Sequence, residues 1–467
     1  MKKTFLLILV TLLVACADTE IVSVGDTPYN KECFVFGDGV YSNAVTLEEA
    51  RTELEFFLSD NSSEISKSSN SFSNKRIAEG FAMKLGKQSL SKSSADGTEA
   101  KIYVFNFEDD GGFAIMSATR ETPPIFAVTD GGNIDTTKEI DCPGLAIFIT
   151  NLETKLLNGE LNYETDTIYQ DADMSLSKQY TPSKTVQWCA YSAPKEKKFY
   201  KLSSGLCPYW HQDDPYNTYC PYDTIHIPVL SKDTRKYRDS IVPTPVGCVG
   251  VACGLLMATY RYPKAYNGRN FHWDDMINGI NNDDVAWLLK RLGDSTNLNT
   301  TYKHDGSPSP SANIPRTFKN FGYSCGGNYG SYYTDVICGE LKNGYPVLIS
   351  GSSFRKDSIT PSGNPIVLYE SGHQWIGQGL LEIVRDVYHY VGEREYTTFK
   401  GMTTETDHYI LCNMGWGYSR KWNGYYLSKV FDTNAGCVYP ENYSKSTVVG
   451  TKYNYQYYFM SVTGIRK

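Results

Sequence analysis

One cysteine and one histidine carry the chemistry that this sequence can support. Cys248 ends the lead-in Pro243-Thr244-Pro245-Val246-Gly247 and opens an apolar run over 249–260, which Pro263 closes. A lead-in with two prolines is not helical, whereas a run apolar on nearly all sides fits a buried helix, so Cys248 falls at a helix N-terminus. There the positive end of the helix dipole favours thiolate over thiol and prepares a nucleophile. Cys253, one turn on, reads as a core thiol. A nucleophilic thiol needs a base. Of the seven histidines, His373 follows Gly372 and begins the apolar segment Gln374-Trp375-Ile376, which sets its ring beside a cleft. His389 and His408 read as satisfied strand residues. Further on, Cys412-Asn413-Met414-Gly415-Trp416-Gly417 offers an amide, Asn413, to accept the histidine N–H, and Trp416 to shield that bond from water. Upstream, the loop 210–217 carries Gln212, an amide donor for a developing oxyanion alongside the Cys248 backbone N–H. The chemistry is acyl transfer through a thioester, which needs no metal and no organic cofactor.

These groups require a scaffold of mixed type. Helical spacing is expected over 248–260, 273–291, 314–321 and 336–341, with Gly344 ending the last. From Pro346 on, the pattern becomes strands: 347–350, 374–377, 388–391, 408–414, 424–427 and 455–460. A helical half facing a strand-rich half predicts a two-lobed α+β catalytic domain over 206–467. Residues 16–165 read as a separate, smaller α+β domain. Thr46 caps a helix over 47–58, a polar loop covers 59–74, and strands are expected at 102–107, 112–117 and 125–129. It holds no histidine, since the first is His211, so an inhibitory, helper or binding role is expected. Residues 166–205 read as a polar linker open to activation cleavage.

Composition narrows the class. With 41% hydrophobic and 21% charged residues the chain can bury a core. A net charge of −7 argues against nucleic acid as a partner. None of the twelve cysteines forms a C-x-x-C pair, which excludes zinc-ribbon spacing, while Cys207 and Cys220 flank one loop and could bridge in an oxidising compartment. Residues 1–15 form a targeting segment: Lys2 and Lys3 precede an apolar stretch too short to span a bilayer. Its Leu13-Val14-Ala15-Cys16 end resembles a bacterial lipobox, which implies lipidation of Cys16 and a place on the cell envelope, anchored to the membrane by lipid alone and facing the periplasm or the exterior.

Taken in order, the motifs Trp210-x-Gln212-x-x-Pro215-Tyr216-Asn217, Gly247-Cys248-Val249, Leu341-Lys342-Asn343-Gly344-Tyr345-Pro346, Gly372-His373 and Asn413-x-Gly415-Trp416-Gly417 resemble the streptopain family of papain-like bacterial cysteine peptidases. Tyr103-Val104-Phe105-Asn106-Phe107 and Gly111-Gly112-Phe113-Ala114-Ile115-Met116-Ser117 resemble that family's propeptide. The resemblance implies a papain-like fold and a secreted zymogen, activated by cleavage. It also implies protein or peptide substrates, and the chain's own propeptide as a partner. The sequence departs from the family at Met414, where a tryptophan is usual, at Gln378-Gly379, where an acidic residue is usual, and at Gly250, a poor helix former. Two alternatives stand beside this reading: a transglutaminase-like acyl transfer, and a surface lipoprotein with a decayed site that binds or inhibits.

Overall fold

The computed structural model describes residues 19–23, 43–58, 72–83, 102–138, 140, 142–157, 159–163, 186–192, 194–202, 207–229, 236–359, 365–393, 396–417, 421–432 and 458–467. The leader, Cys16 and most of the loop expected over 59–74 lie outside them. Among the described residues no helix is long and apolar enough to cross a membrane.

Helix α1 (Leu47–Leu58) begins where Thr46 and Glu49 form a reciprocal capping box. The Glu49 N–H donates to Thr46 Oγ1 at 3.2 Å, and the Thr46 N–H to Glu49 Oε2 at 2.7 Å. Strands Ile102–Phe107, Phe113–Ser117 and Ile125–Thr129 pair antiparallel, as their alternation predicts. Helix α2 (Pro143–Leu157) follows. Helix α3 (Cys248–Tyr260) starts at the expected nucleophile, after Gly247 at φ 91, a left-handed angle that suits glycine. The helix expected over 273–291 is broken into α4 (Trp273–Ile277) and α5 (Asn282–Leu292). The break has a local cause: Gly279 turns left-handed, and the Asn281 side chain caps α5 by accepting from the Asp284 N–H. Helices α6 (Ile314–Asn320) and α7 (Thr334–Lys342) lie close to their expected spans.

The strands are fewer and longer than expected. Segments 374–377 and 388–391 belong to one strand, Pro365–Glu393, which pairs with Val347–Ile359 on one side and Tyr396–Asn413 on the other. Two short strands in the expected linker, Val186–Tyr191 and Glu196–Lys201, also pair with Pro365–Glu393. That part of the expected linker is therefore sheet. Nor does the N-terminal unit stand apart. Gly424–Leu427 pairs with Ile125–Thr129, so the strands of both halves form one thirteen-stranded sheet. An unpaired edge beside Gly424–Leu427 is what the N-terminal strand covers. The fold class is mixed helix and sheet, as expected.

Alternation along the central strands sorts the core into two clusters on opposite faces. Val347, Ile349 and Trp375 join α1, α2 and the N-terminal strands. Leu348 and Ile376 join α3, α5 and α6. Cys207 and Cys220 are free thiols rather than a bridge. Cys207 is buried beside Thr259, with Sγ 2.9 Å from Oγ1.

A buried charge ties the two halves together. Arg385 of strand Pro365–Glu393 is fully buried, and its Nη1 reaches Glu53 of α1 at 3.2 Å and the Ser192 carbonyl at 3.2 Å. Asp407 lies 3.7 Å from its Nε. Removing one partner of a buried pair strands the other charge, at about 3–5 kcal/mol. Glu53→Ala should therefore lower the denaturant midpoint of the uncut chain markedly; an unchanged midpoint in urea titration would refute this role.

Candidate active site

The N-terminus of α3 delivers Cys248 to a narrow, closely filled cleft that Gln212, His373, Gln374, Asn413 and Met414 also line. Four residues drawn from distant parts of the sequence as nucleophile, base, orienting amide and oxyanion donor thus converge on one place. Gln212 is held by its own backbone, whose carbonyl accepts the Val246 N–H at 2.9 Å, two residues before Cys248 is reached through Gly247. Trp210, fully buried, wedges against Gly254 of α3 and fixes the start of that loop. Trp416 sits edge-on to the His373 ring, centroids 5.2 Å apart at 70°.

The polar contacts differ from expectation in three ways. Asn413 does not hold His373. Its Nδ2 donates to the Pro208 carbonyl at 3.1 Å and its Oδ1 accepts from the Gly415 N–H at 3.0 Å, so it ties the Gln212 loop to the Met414–Trp416 turn. His373 Nε2 instead lies 2.9 Å from the Met414 carbonyl. Among the described residues no hydrogen bond joins His373 to Cys248. The thiol, finally, is not depressed. Burial raises it above its ordinary value, against the pull of the Gln374, Val249 and Cys248 backbone N–H groups, and no imidazolium stands beside it to reverse this.

Helix α2 of the N-terminal half accounts for the ring's position. A Cβ on Gly144, in the first turn of α2, would lie 2.7 Å from Met414 Sδ and 3.1 Å from His373 Cδ2. Only glycine lets the helix approach so closely. Trp375 flanks the ring on its own strand, 6.1 Å away and 19° from parallel. Sealed in this way, the imidazole is pushed down to about 4 by burial, with the Met414 carbonyl opposing. Thiol and imidazole are both neutral near pH 7, which is a resting and not a reacting arrangement.

The sign of the pH effect follows. Above the ordinary histidine value of 6.5 the covered and free rings are both neutral. Between there and about 4 a free ring takes a proton that the covered ring refuses, so the covered state loses this contribution as pH falls through about 4. Asp407, pushed up to about 6 by burial, acts oppositely: its contribution is lost as pH rises through about 6. A site-specific readout is therefore needed. Histidine-labelled NMR of the uncut chain should find His373 still neutral at pH 5, and a His373 resonance titrating near 6.5 would contradict the buried geometry.

Gly144, Met414 and Trp375 are parts of this site that sequence reading missed as such. Met414 carried one signal, as a departure from its motif. The backbone contact it makes and the cover from Gly144 carried none.

Residues 42–156 match the family model of the Spi protease inhibitor, and residues 210–426 that of the Peptidase C10 family. No curated protein matches the chain. Among solved structures, a fragment of Prevotella intermedia prointerpain A aligns at 15% identity and a TM-score of 0.45, covering 83% of this chain and 99% of that one. The active wild-type interpain A cysteine protease of Prevotella intermedia aligns at 16% identity and a TM-score of 0.31, covering 57% of this chain and 96% of that one. Residues 210–426 thus carry the pattern of the Peptidase C10 family, the streptopain family, and form a cysteine-type peptidase part, preceded by an inhibitor-type unit in the N-terminal part.

Proposed function

We propose that the chain is the zymogen of a papain-like, two-lobed cysteine endopeptidase that hydrolyses protein or peptide substrates through an acyl-enzyme. The observation that carries the reading is the convergence of Gln212, Cys248, His373 and Asn413 on one cleft, with α2 seated over the base. Removal of the N-terminal unit frees the ring from the Met414 carbonyl. His373 then takes the Cys248 proton, and the thiolate attacks the peptide carbonyl. Gln212 and the Cys248 N–H hold the oxyanion, His373 protonates the leaving amine, and water hydrolyses the thioester. The residues 16–165 act as the chain's own inhibitor until cleavage within 166–205. The test is labelling with a thiol-directed epoxysuccinyl probe before and after activation. Selective modification of Cys248 in the cut chain only is expected; equal labelling of all accessible thiols would sink the assignment.

The lipobox supports a further part of this reading: the enzyme is held to the cell envelope through lipid on Cys16, facing the periplasm or exterior. Growth with a labelled fatty acid should tag the protein, and Cys16→Ser should abolish the tag. Labelling that persists in the variant would dismiss the anchor.

A further inference from the structure

Side chains alternate across the strand that carries the base. His373 shares a face with Trp375, toward α2, whereas Gln374 shares one with Ile376, toward α3 and Cys248. Gln374 lines the same cleft as Cys248. Its backbone N–H pulls the Cys248 thiol down against the effect of burial. Its side chain is only 2% exposed and half satisfied: Oε1 accepts from Ser311 Oγ at 2.9 Å, while Nε2 has no hydrogen-bond partner. Ser307, packed against Gly247, likewise keeps a buried and unpartnered hydroxyl at 5% exposure.

Leaving a buried amide donor unpaired is destabilising. Leucine would fill the same volume without that cost, and the backbone N–H to Cys248 would be untouched. The N-terminal unit does not supply the missing acceptor either, because α2 packs on the opposite face of the strand.

We infer that Gln374 is a specificity-determining residue of the cleft, whose Nε2 donates to a side-chain oxygen of the substrate, so that peptides with a carboxamide (Asn or Gln) beside the scissile bond are preferred over their apolar isosteres. The inference rests on Cys248 as the nucleophile. A site built to hydrogen-bond its ligand discriminates against an analogue lacking that group, because the buried donor is then stranded.

The test uses the full chain, activated by limited proteolysis, with a peptide library in which each position flanking the scissile bond carries Gln or Asn against Leu or Met. The wild type should favour the amide at one position by roughly tenfold or more in kcat/KM. Gln374→Leu should erase or invert that ratio while turnover of the apolar peptide persists. Gln374→Glu, which keeps the shape and replaces the donor by an acceptor, should shift the preference toward Lys at the same position; this variant decides the matter if Gln374→Leu does not fold. A wild type without any amide preference overturns the inference, as does a Gln374→Leu chain that loses activity equally on all peptides. Turnover that survives Cys248→Ala would instead overturn the functional reading, and the inference with it.

Discussion

Cys248→Ala and His373→Ala should each lower turnover by the activated chain by roughly 10⁴–10⁶-fold, and the double variant should be little worse than either. In the mechanism proposed above the two act as one unit. A thiol without its base stays protonated, and a base without its nucleophile has nothing to activate. Gln212→Ala should cost about 10²–10³-fold in kcat, the usual loss of one oxyanion donor. Asn413→Ala should behave differently. Its amide bonds Pro208 and Gly415 rather than the imidazole, so the thermal midpoint should fall along with kcat. The assay is steady-state turnover of a peptide library by the processed variants. Near-normal turnover by His373→Ala would move the base to another histidine, although His389 and His408 are already engaged in strands. His408 Nε2 lies 2.9 Å from Glu382, and His389 lies between Cys189 and Thr403.

What the sequence revealed, it revealed through local chemistry. Thr46, with Glu48 and Glu49 behind it, announces α1 because an N-cap and an acidic first turn are written in consecutive residues. Gly247-Cys248 announces α3 because the two prolines and the apolar run are contiguous. Helix α2 escaped because Leu145, Ala146, Ile147, Phe148, Ile149 and Leu152 are all buried. A segment apolar on so many sides shows no helical period, and its β-branched residues fit a strand as well. The strand Pro365–Glu393 was read in pieces for the opposite reason. Glu382, Arg385 and Asp386 interrupt its apolar pattern, yet all three are buried. Their partners are remote in sequence: Lys342 and His408 for Glu382, Glu53 for Arg385, Lys195 for Asp386. The sheet that joins both halves depends on the pairing of Gly424–Leu427 with Ile125–Thr129, a match that no local pattern encodes. The same holds at the site. Residue types pointed to the proposed nucleophile, base and amides, which do meet in one cleft, but the Met414 carbonyl that occupies His373 is a backbone group, invisible in side-chain chemistry.

Gly144→Leu should give an uncut chain that already hydrolyses a small peptide, because the substitution attacks the cover and leaves the cleft alone. The cover has no slack at this point. Met414 is fully buried and His373 is 4% exposed, so neither can retreat from a new side chain on α2. Overpacking of this kind costs about 1–3 kcal/mol, and each 1.4 kcal/mol is tenfold in occupancy, so the uncovered fraction should rise by about 10- to 100-fold. The rest of α2 remains anchored. Asn151 donates to the Val430 carbonyl, Ile147 lies against Gly351, and Phe148 meets Tyr426 edge-on at 4.9 Å. The first turn should therefore lift while the helix stays docked, and the effect should appear as basal activity before it appears as unfolding. Met414→Ala removes the nearer obstacle, so combined with Gly144→Ala it should restore silence to a chain in which Gly144→Ala alone has raised the basal rate. Initial rates are measured on protein shown by mass spectrometry to be uncut. If the Gly144→Leu chain is as silent as the wild type, the seat of α2 on His373 is not what holds the enzyme off.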